Sequence, residues 1–263
     1  MRFDSLLTLS LMGLGVLVGC AEHTGLFNAP YGRFQNPQSR HRLPRRVSRL
    51  LRKGALPARS SSVLTYAIAL ALALVMYSEH GSWGSPYHVM TGLFLFGQYG
   101  KRLLESRYVH WYSGEVSYAM ALYMVLANLG IMAICIHSIF HRPPAPSENT
   151  YPALIWCLPL MMVAWAGNLY HHYILRSLRT GDGDRTYAVP RRGWFLRAIC
   201  PHYFFEVLAW LSFALLVNRR AVYGVLFLIA AKLAGRSHQT RDWSWRHLDG
   251  YPRDVKRMVP FLY

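Results

Sequence analysis

The sequence predicts an all-α fold: a polytopic membrane bundle of about seven transmembrane helices with a cytosolic C-terminus. Three observations favour this class. Hydrophobic residues make up 53% of the 263 positions, apolar runs suited to membrane spans recur along the chain, and clusters of Lys and Arg separate them. A net charge of +17 could indicate nucleic-acid binding. Basic residues that alternate with long apolar runs do not form the surface of a nucleic-acid module, so we expect a membrane protein with no nucleic-acid partner.

Seven apolar segments are candidate spans, because a helix needs roughly 20 apolar residues to cross the bilayer core and fewer when it is tilted or bundled. They are 5–20, 62–77, 87–99, 116–136, 152–170, 203–217 and 221–234. The first could instead be a signal peptide, since Leu17-Val18-Gly19-Cys20 resembles a lipoprotein cleavage site. Its basic N-terminal region is weak, which favours a span.

The distribution of basic residues orients these spans. With seven spans, 25 of the 29 Lys and Arg residues fall on one side of the membrane, and cytoplasmic loops are the loops enriched in Lys and Arg. We therefore expect the N-terminus outside or in a lumen and the C-terminus in the cytosol. We divide the chain into 1–113, three spans with a basic cytosolic loop, and 114–263, four spans with a cytosolic tail.

Polar side chains lie at the ends of several predicted spans, and the predicted topology places these ends together on the cytosolic side. Glu206 is the one acid that we expect inside an apolar helical run. An ionisable group there is costly and marks a candidate functional site. For the other residues, an interfacial belt of Tyr, His and Arg is the alternative explanation. The set comprises Tyr99, Lys101, Arg102, Asn168, Tyr170, His171, His172, His202, Tyr203, Glu206, Arg236 and His238.

Two histidine pairs raise the question of a metal centre. His137 and His141 have the spacing of ligands on one helical face, and His171-His172 resembles part of a di-iron histidine box. The predicted topology separates the pairs across the membrane, so we expect no metal site. The sequence also has no glycine-rich phosphate-binding motif. A nucleotide would have to bind between membrane helices and basic loops.

The C-terminal half carries a series of motifs in a distinctive order and spacing. They are Asn168 through Arg179, Tyr187-Ala-Val-Pro190, Gly193-Trp-Phe195, Cys200-Pro-His-Tyr-Phe-Phe-Glu206, Trp210, Tyr251-Pro252 and Pro260-Phe-Leu-Tyr263. Together with Ala29-Pro-Tyr-Gly-Arg33 and Leu43-Pro44, they resemble the steroid 5α-reductase family. The resemblance implies seven membrane helices and NADPH-dependent reduction of a carbon–carbon double bond conjugated to a carbonyl.

A middle segment points to a related group of enzymes. Its residues are Gln98-Tyr-Gly-Lys-Arg-Leu-Leu-Glu105, Val109-His110 and Ser113, and it is similar to the very-long-chain trans-2-enoyl-CoA reductases. The chain also departs from the steroid-reductase pattern, with Lys53 in place of Glu, His172 in place of Asp, His202 in place of Asn and Ala209 in place of Glu. The lipid could therefore be a 3-oxo-4-ene steroid, a long-chain enoyl-CoA or a polyprenol-derived carbonyl.

The resemblance also implies roles for individual residues. Tyr99 and Arg102 are the candidate catalytic pair: Tyr99 would donate to the substrate carbonyl and supply a proton, and the charges of Lys101 and Arg102 would favour its ionised form. Arginine binds phosphate bidentately, so Arg102, Arg176 and Arg179 would hold the cofactor phosphates. The other expected cofactor contacts are Asn168, Tyr187, His202, Tyr203, Glu206, Arg236 and His238, and the expected substrate contacts are Lys53 and Trp210.

Two other classes of function stay open at this stage. One is a membrane methyltransferase of the isoprenylcysteine type, whose short basic motif is half matched by Pro201-His202-Tyr203. The other is a non-catalytic sterol-binding membrane protein. For a reductase, the expected location is the endoplasmic reticulum with the active site facing the cytosol, and other lipid-synthesis enzymes are possible partners.

Overall fold

The computed structural model describes residues 2–24, 54–81, 83–141, 150–184 and 186–263. Lys53 and the motifs at 29–33 and 43–44 lie outside the described residues. Each predicted span lies largely within one long helix, which confirms the helical class. These helices are α1 Arg2–Thr24, α2 Ala58–His80, α3 Pro86–Leu104, α4 Tyr118–Phe140, α5 Thr150–Ser177, α6 Pro201–Val217 and α7 Arg220–His247.

Four short elements join the helices. Strand β1 (Leu56–Pro57) pairs antiparallel with β2 (Glu115–Val116), with Leu56 opposite Val116. A π-helical turn at Glu105–Val109 continues directly from α3, and a 3₁₀ turn at Gly193–Leu196 precedes α6. The two strands tie the start of α2 to the segment that follows α3. The sequence prediction did not include them.

The helices begin and end at recognisable signals. Before α3, the Ser85 hydroxyl accepts a hydrogen bond from the His88 N–H, and before α4 the Ser117 hydroxyl accepts one from Met120 N–H, which are N-cap contacts. Pro201 occupies the first turn of α6, where proline needs no donor. The same helix ends at Asn218 in the left-handed conformation, φ 48°.

Packing joins the two ends of the described chain and brings three helices close together. α1 packs along α7, α5 packs along α6, and α2 packs against α3 and α4. In α3, a Cβ at Gly97 would lie 2.1 Å from the Trp165 ring of α5, and in α5 a Cβ at Gly167 would lie 2.4 Å from the Phe205 ring of α6. Because glycine has no side chain at these two positions, α3, α5 and α6 can approach each other at one end of the bundle.

Within the described ranges, three helices are long and apolar enough to cross a membrane: Asp4–Thr24, Ala58–His80 and Tyr118–Phe140. α6 is a shorter apolar helix, while α3 and α7 carry polar and charged side chains that lower their hydropathy. Large hydrophobic residues on the outer faces of α2 and α4, such as Leu74 and Leu126, are exposed, as expected for lipid-facing positions. The chain is thus a helical membrane protein. The count of seven spans and the cytosolic C-terminus stay predictions.

Candidate active site

Glu206 lies in a hydrogen-bonded chain that joins three helices. Nε2 of Gln98, on α3, donates to Oε1 of Glu206 at 2.7 Å. The side-chain oxygen of Gln98, Oε1, accepts a hydrogen bond of 2.8 Å from the indole N–H of Trp165, on α5. A carboxylate inside an apolar helical run needs a partner, and Arg, Asn and Tyr are available at the neighbouring helix ends. The hydrogen-bond partner in the structure is instead the neutral amide of Gln98, while Arg102 and Tyr99 lie close enough to interact with the Glu206 charge.

A second chain of contacts runs from Lys101 to the start of α6. The Lys101 ammonium donates to the side-chain oxygen of Asn168 and lies 2.7 Å from Oε1 of Glu105. Nδ2 of Asn168 in turn donates to the backbone carbonyl of His202 at 2.7 Å. Asn168 is buried, and the Lys101 side chain is 13% exposed. The predicted convergence of polar ends of α3, α5 and α6 is therefore confirmed for these residues.

Glu105 is the most heavily engaged carboxylate of this region. Its side chain is 2% exposed, Oε2 lies 3.2 Å from Nη1 of Arg102, and Oε1 lies 3.1 Å from Nδ1 of His172. Arg102 also donates to the Tyr66 hydroxyl of α2 at 3.1 Å. Ion pairs on Glu105 and the contact with Tyr66 thus join α2, α3 and α5. We refer to Lys101, Arg102, Glu105 and His172 as the Glu105 cluster.

The electrostatics of the cluster follow from its burial and its two cations. Burial alone would raise the pKa of the Glu105 carboxyl, but the contact with His172 and the charges of Arg102 and Lys101 hold that pKa well below its usual range. Burial lowers the pKa of the neighbouring His110 imidazole well below its usual value, and the nearby cations act in the same direction. Glu105 is therefore an anion at neutral pH, and His110 is neutral.

Arg176 and Arg179 lie beside the segment that follows the π-helical turn. The Arg176 guanidinium sits over the Trp111 ring at 4.8 Å. Arg179 donates to the Trp111 carbonyl oxygen at 2.8 Å and lies over the Tyr187 ring at 5.1 Å. Tyr187 in turn packs edge-on against Trp243 of α7 at 4.8 Å. These predicted cofactor residues thus form one basic, aromatic-lined surface.

The loop after α5 is fastened to the same segment. Asp182 forms a 2.7 Å salt bridge with Arg59 and accepts a hydrogen bond from the Tyr112 backbone N–H at 3.0 Å. The Gly183 N–H donates to the Tyr112 carbonyl oxygen at 2.8 Å. Positive φ at Gly183, 81°, suits glycine in this turn. These bonds fix Trp111 and hence the surface against which Arg176 and Arg179 rest.

Tyr99 and Trp210 are buried in the apolar core next to the polar chains. Tyr99 is 3% exposed and follows Gln98 directly on α3, while Trp210 lies one helical turn beyond Glu206 and contacts Phe94 edge-on at 5.4 Å. The expectation that Lys101 and Arg102 act on Tyr99 is corrected, since their described contacts are with Asn168, Glu105 and Tyr66.

Two other predicted residues lie at the junction of α1 and α7. Nη1 of Arg236 is 3.5 Å from Oε2 of Glu22, and both side chains are buried. The His238 ring stacks on His23 at 3.8 Å between centroids. The structure therefore places Arg236 and His238 against α1. Tyr203 packs with the tail residues Tyr251 and Val255 beside the start of α6.

The two histidine pairs lie near opposite ends of α6. His137 and His141 stack at 4.6 Å and line a small pocket with Arg219, just beyond the C-terminus of α6. At the N-terminus of α6, the ring of His202 lies 5.4 Å from the ring of His172, measured between centroids. Seventeen helical residues span roughly 25 Å, so the pairs do not share a metal. A different set, Glu105, His110 and His172, brings its ligand atoms within 4.8 Å of one another.

His171 has a structural role in the described part of the chain. Its Nδ1 lies 2.6 Å from the Gly167 carbonyl oxygen, and its Nε2 accepts a hydrogen bond of 3.1 Å from the Trp194 N–H. A neutral ring protonated at Nδ1 satisfies both contacts. An open apolar depression of about 430 Å³, lined by exposed residues such as Trp83 and Ile155, lies by the N-terminus of α3, at the other end of that helix from the Glu105 cluster.

Sequence reasoning missed several residues of these networks. Glu105 stands three residues after Arg102 and four after Lys101, a spacing that pairs charges on one helical face and could have revealed it. Glu22 is also buried, at 2% exposure, so Glu206 is not the only acid enclosed by helices. Gln98, Trp165 and Tyr66 gave no such signal, because their contacts join helices distant in sequence.

The fold and the site define a class of protein: a helical membrane protein with a buried, cation-rich polar site at one end of its bundle. Residues 116–263 match the family model described as 3-oxo-5-alpha-steroid 4-dehydrogenase. This match covers more than half of the chain. The chain belongs to the 3-oxo-5-alpha-steroid 4-dehydrogenase family and is a membrane oxidoreductase that acts on CH–CH groups.

Individual relatives extend the comparison to the full length. The chain is 26% identical to human 3-oxo-5-alpha-steroid 4-dehydrogenase 1 over 97% of its own length and 95% of the relative's. It is 31% identical to a Trypanosoma brucei brucei protein with a provisional enoyl-CoA reductase name, over 62% of this chain and 54% of that one. The predicted resemblance is confirmed in both its parts, and the reductase is favoured over the methyltransferase and the sterol-binding protein.

Proposed function

We propose that this chain uses NADPH to reduce a carbon–carbon double bond conjugated to a carbonyl group in a membrane lipid. The observation that carries the proposal is the convergence of Lys101, Asn168 and Glu206 at the adjoining ends of three helices, next to a basic surface. Family membership supplies the reaction class. The arrangement supplies hydrogen-bonding groups and cations in a setting that excludes water.

The residues present fit the chemistry of a phosphorylated dinucleotide. Arg102, Arg176 and Arg179 would hold the phosphates, since guanidinium groups match phosphate oxygens bidentately. Trp111 and Tyr187 offer aromatic faces beside two of these arginines. Asn168, His202 and Glu206 would grip the nicotinamide amide and the ribose, for which an acceptor carboxylate and donor amide are suited.

Bound NADPH would supply a hydride to the β-carbon of the conjugated system. The chain would then stabilise the negative charge that develops on the carbonyl oxygen and deliver a proton to the α-carbon. Tyr99 is the proposed donor for both steps, because its phenol is buried beside the polar chains and carries a transferable proton. Trp210 and the aromatic core around it would bind the apolar body of the lipid and keep water out.

The lipid is a steroid or a long-chain enoyl thioester in this proposal. Names of both kinds occur among the relatives. If the substrate is an acyl-CoA, Lys53 and the neighbouring basic residues would bind its phosphates, and neutralising them would raise KM for the acyl-CoA. We also propose that the site faces the cytosol from the endoplasmic reticulum, where other lipid-synthesis enzymes would supply the substrate.

The test is NADPH oxidation by the purified protein in detergent, with a 3-oxo-4-ene steroid and a long-chain trans-2-enoyl-CoA offered in parallel. We expect oxidation that depends on one of the two lipids. Glu206→Gln should abolish it, while the surface variant Glu79→Gln should not. The absence of oxidation with both lipids, together with no thermal stabilisation by NADPH, would contradict the proposed cofactor and the proposed reaction.

A further inference from the structure

We propose that Glu105 is a positioning residue: its buried carboxylate holds Lys101 and Arg102 in the arrangement that binds the cofactor, an inference that rests on the proposed function. Glu105 directly follows the last residue of α3, and both cations lie on the last turn of that helix. Oε1 faces Lys101 at 2.7 Å and Oε2 faces Arg102 at 3.2 Å. Each carboxylate oxygen therefore fixes one cation.

Lys101 and Arg102 connect Glu105 to residues on other helices. Lys101 also donates to Asn168 and so fixes the orientation of its amide, whose Nδ2 then donates to the His202 carbonyl oxygen. Arg102 also donates to Tyr66 of α2. Its guanidinium has five N–H donors, so one edge can rest on the protein while another binds a phosphate oxygen. Removing the carboxylate would release both cations at once.

The location of the carboxylate matters less than its charge. His172 lies one helical turn after Asn168 on α5, and its Nδ1 is 3.1 Å from Oε1 of Glu105. A carboxylate at position 172 would thus lie close to the same two cations. We therefore expect a negative charge at position 172 to hold Lys101 and Arg102 in place of Glu105 when position 105 is neutral.

A divalent metal bound by Glu105, His110 and His172 is the competing explanation of the cluster. Their ligand atoms come within 4.8 Å of one another, which suits a metal centre. However, both oxygens of Glu105 already face cationic side chains. A metal ion would have to displace Lys101 and would meet the repulsion of Arg102. The geometry therefore favours a carboxylate that organises side-chain cations.

The experiment compares Glu105→Gln, His172→Asp and the double variant with the unaltered protein and with the surface control Glu79→Gln. The measurements are the Kd of NADPH and the kcat at saturating NADPH. Charged hydrogen bonds carry enough energy for a tenfold effect, so we expect Glu105→Gln to weaken NADPH binding by about tenfold or more. Turnover at saturation should change by less than about threefold, because the carboxylate does not touch the reacting atoms.

The double variant is the decisive comparison. With Asp at 172 and Gln at 105, we expect NADPH affinity to return to within about threefold of the unaltered protein, a coupling between neighbouring sites. His172→Asp alone should weaken binding, since it places two carboxylates together. Failure of the double variant to recover affinity, or to fold, would overturn the inference while leaving the reductase intact. Stabilisation by Zn²⁺ or Fe²⁺ that Glu105→Gln removes would replace it with a metal site.

Loss of the proposed function would look different. If the unaltered protein neither binds NADPH nor oxidises it, the reductase proposal fails and this inference fails with it. If the unaltered protein binds NADPH with the same affinity as Glu105→Gln, only the positioning role is overturned.

Discussion

The side-chain amide of Gln98 joins Glu206 to Trp165: it donates to the carboxylate at 2.7 Å and accepts from the indole at 2.8 Å. One residue of α3 thus satisfies a carboxylate on α6 and an indole on α5. Because a glutamine amide has both a donor and an acceptor end, no apolar residue of the same size can replace it. This relationship fixes the position of Glu206 relative to the other helices.

Replacing Gln98 by Leu should therefore destabilise the bundle. The substitution leaves two partly buried polar groups without this partner, and a fully buried group in that state costs about 1–3 kcal/mol. We expect the free energy of unfolding in detergent to fall by about 1–3 kcal/mol for the two groups together. Asn128→Leu is the matched control, because Asn128 donates within its own helix to Met124. Equal losses for both variants would contradict the bridging role.

Tyr99→Phe should separate binding from chemistry. The variant keeps the buried ring and removes the hydroxyl, so NADPH should bind with unchanged affinity. Turnover should fall by at least about tenfold, which corresponds to about 1.4 kcal/mol of activation free energy. Steady-state kinetics and NADPH titration check this expectation, with the exposed Tyr118→Phe as control. Unchanged turnover would remove Tyr99 from its proposed role.

Gly167→Ala should disturb the contact between α5 and α6. The new methyl group would lie 2.4–2.7 Å from atoms of the Phe205 ring, and such overpacking costs about 1–3 kcal/mol. Asn168 is the next residue, so its bond to the His202 carbonyl oxygen should weaken and NADPH affinity should fall. Thermal unfolding and NADPH titration measure both effects.

Gly130→Ala provides the control for that experiment. No atom lies within 4 Å of a Cβ at Gly130 in α4, and alanine is favoured over glycine in a helix by about 1 kcal/mol. We expect the control to keep or gain stability and to bind NADPH normally. A control as damaged as Gly167→Ala would show that general helix effects explain the result.

The pair of Glu22 and Arg236 predicts a second kind of stability effect. Removing one member of a buried ion pair costs about 3–5 kcal/mol. Glu22→Leu should therefore lower the melting temperature sharply. The double variant Glu22→Leu with Arg236→Met should recover most of the loss, because two apolar side chains can pack between α1 and α7. A double variant less stable than the single one would contradict this account.

His238 should make stability depend on pH. Burial, opposed by Asp242 and reinforced by His23, Arg257 and Arg241, lowers the pKa of His238 to about 4. An unfolded histidine has a pKa of about 6.5, so the unfolded chain binds the proton more readily. The contribution of His238 to stability is present above about pH 6.5 and is lost as the pH falls toward about 4.

The measurement for this prediction is the melting temperature in detergent between about pH 7 and about pH 5. The unaltered protein should lose more stability on acidification than His238→Asn, which cannot take up the proton. His247→Asn, on the exposed end of α7, is the control and should behave as the unaltered protein does. An identical pH dependence in His238→Asn would contradict the assignment.

The sequence predicted the helices and the gathering of polar helix ends, but not the partners within the site. Each helix could be predicted from a run of apolar residues that is long enough to form it. Lys101 and Asn168 were marked by their positions at helix ends. The bonds of Gln98 to Glu206 and of Arg102 to Tyr66 depend on how the helices pack, and no local pattern encodes them. Arg236 and His238 shared the same polar signal, yet helix packing placed them against α1.

The most direct test of the central claim follows the hydrogen itself. The purified protein is given NADPH carrying deuterium at the transferable position of the nicotinamide, with the lipid that supports oxidation, and the product is analysed by mass spectrometry and NMR. The account predicts one deuterium on the β-carbon of the reduced lipid and none on the α-carbon, whose hydrogen comes from solvent. A reduced product without deuterium at the β-carbon would contradict hydride transfer from NADPH.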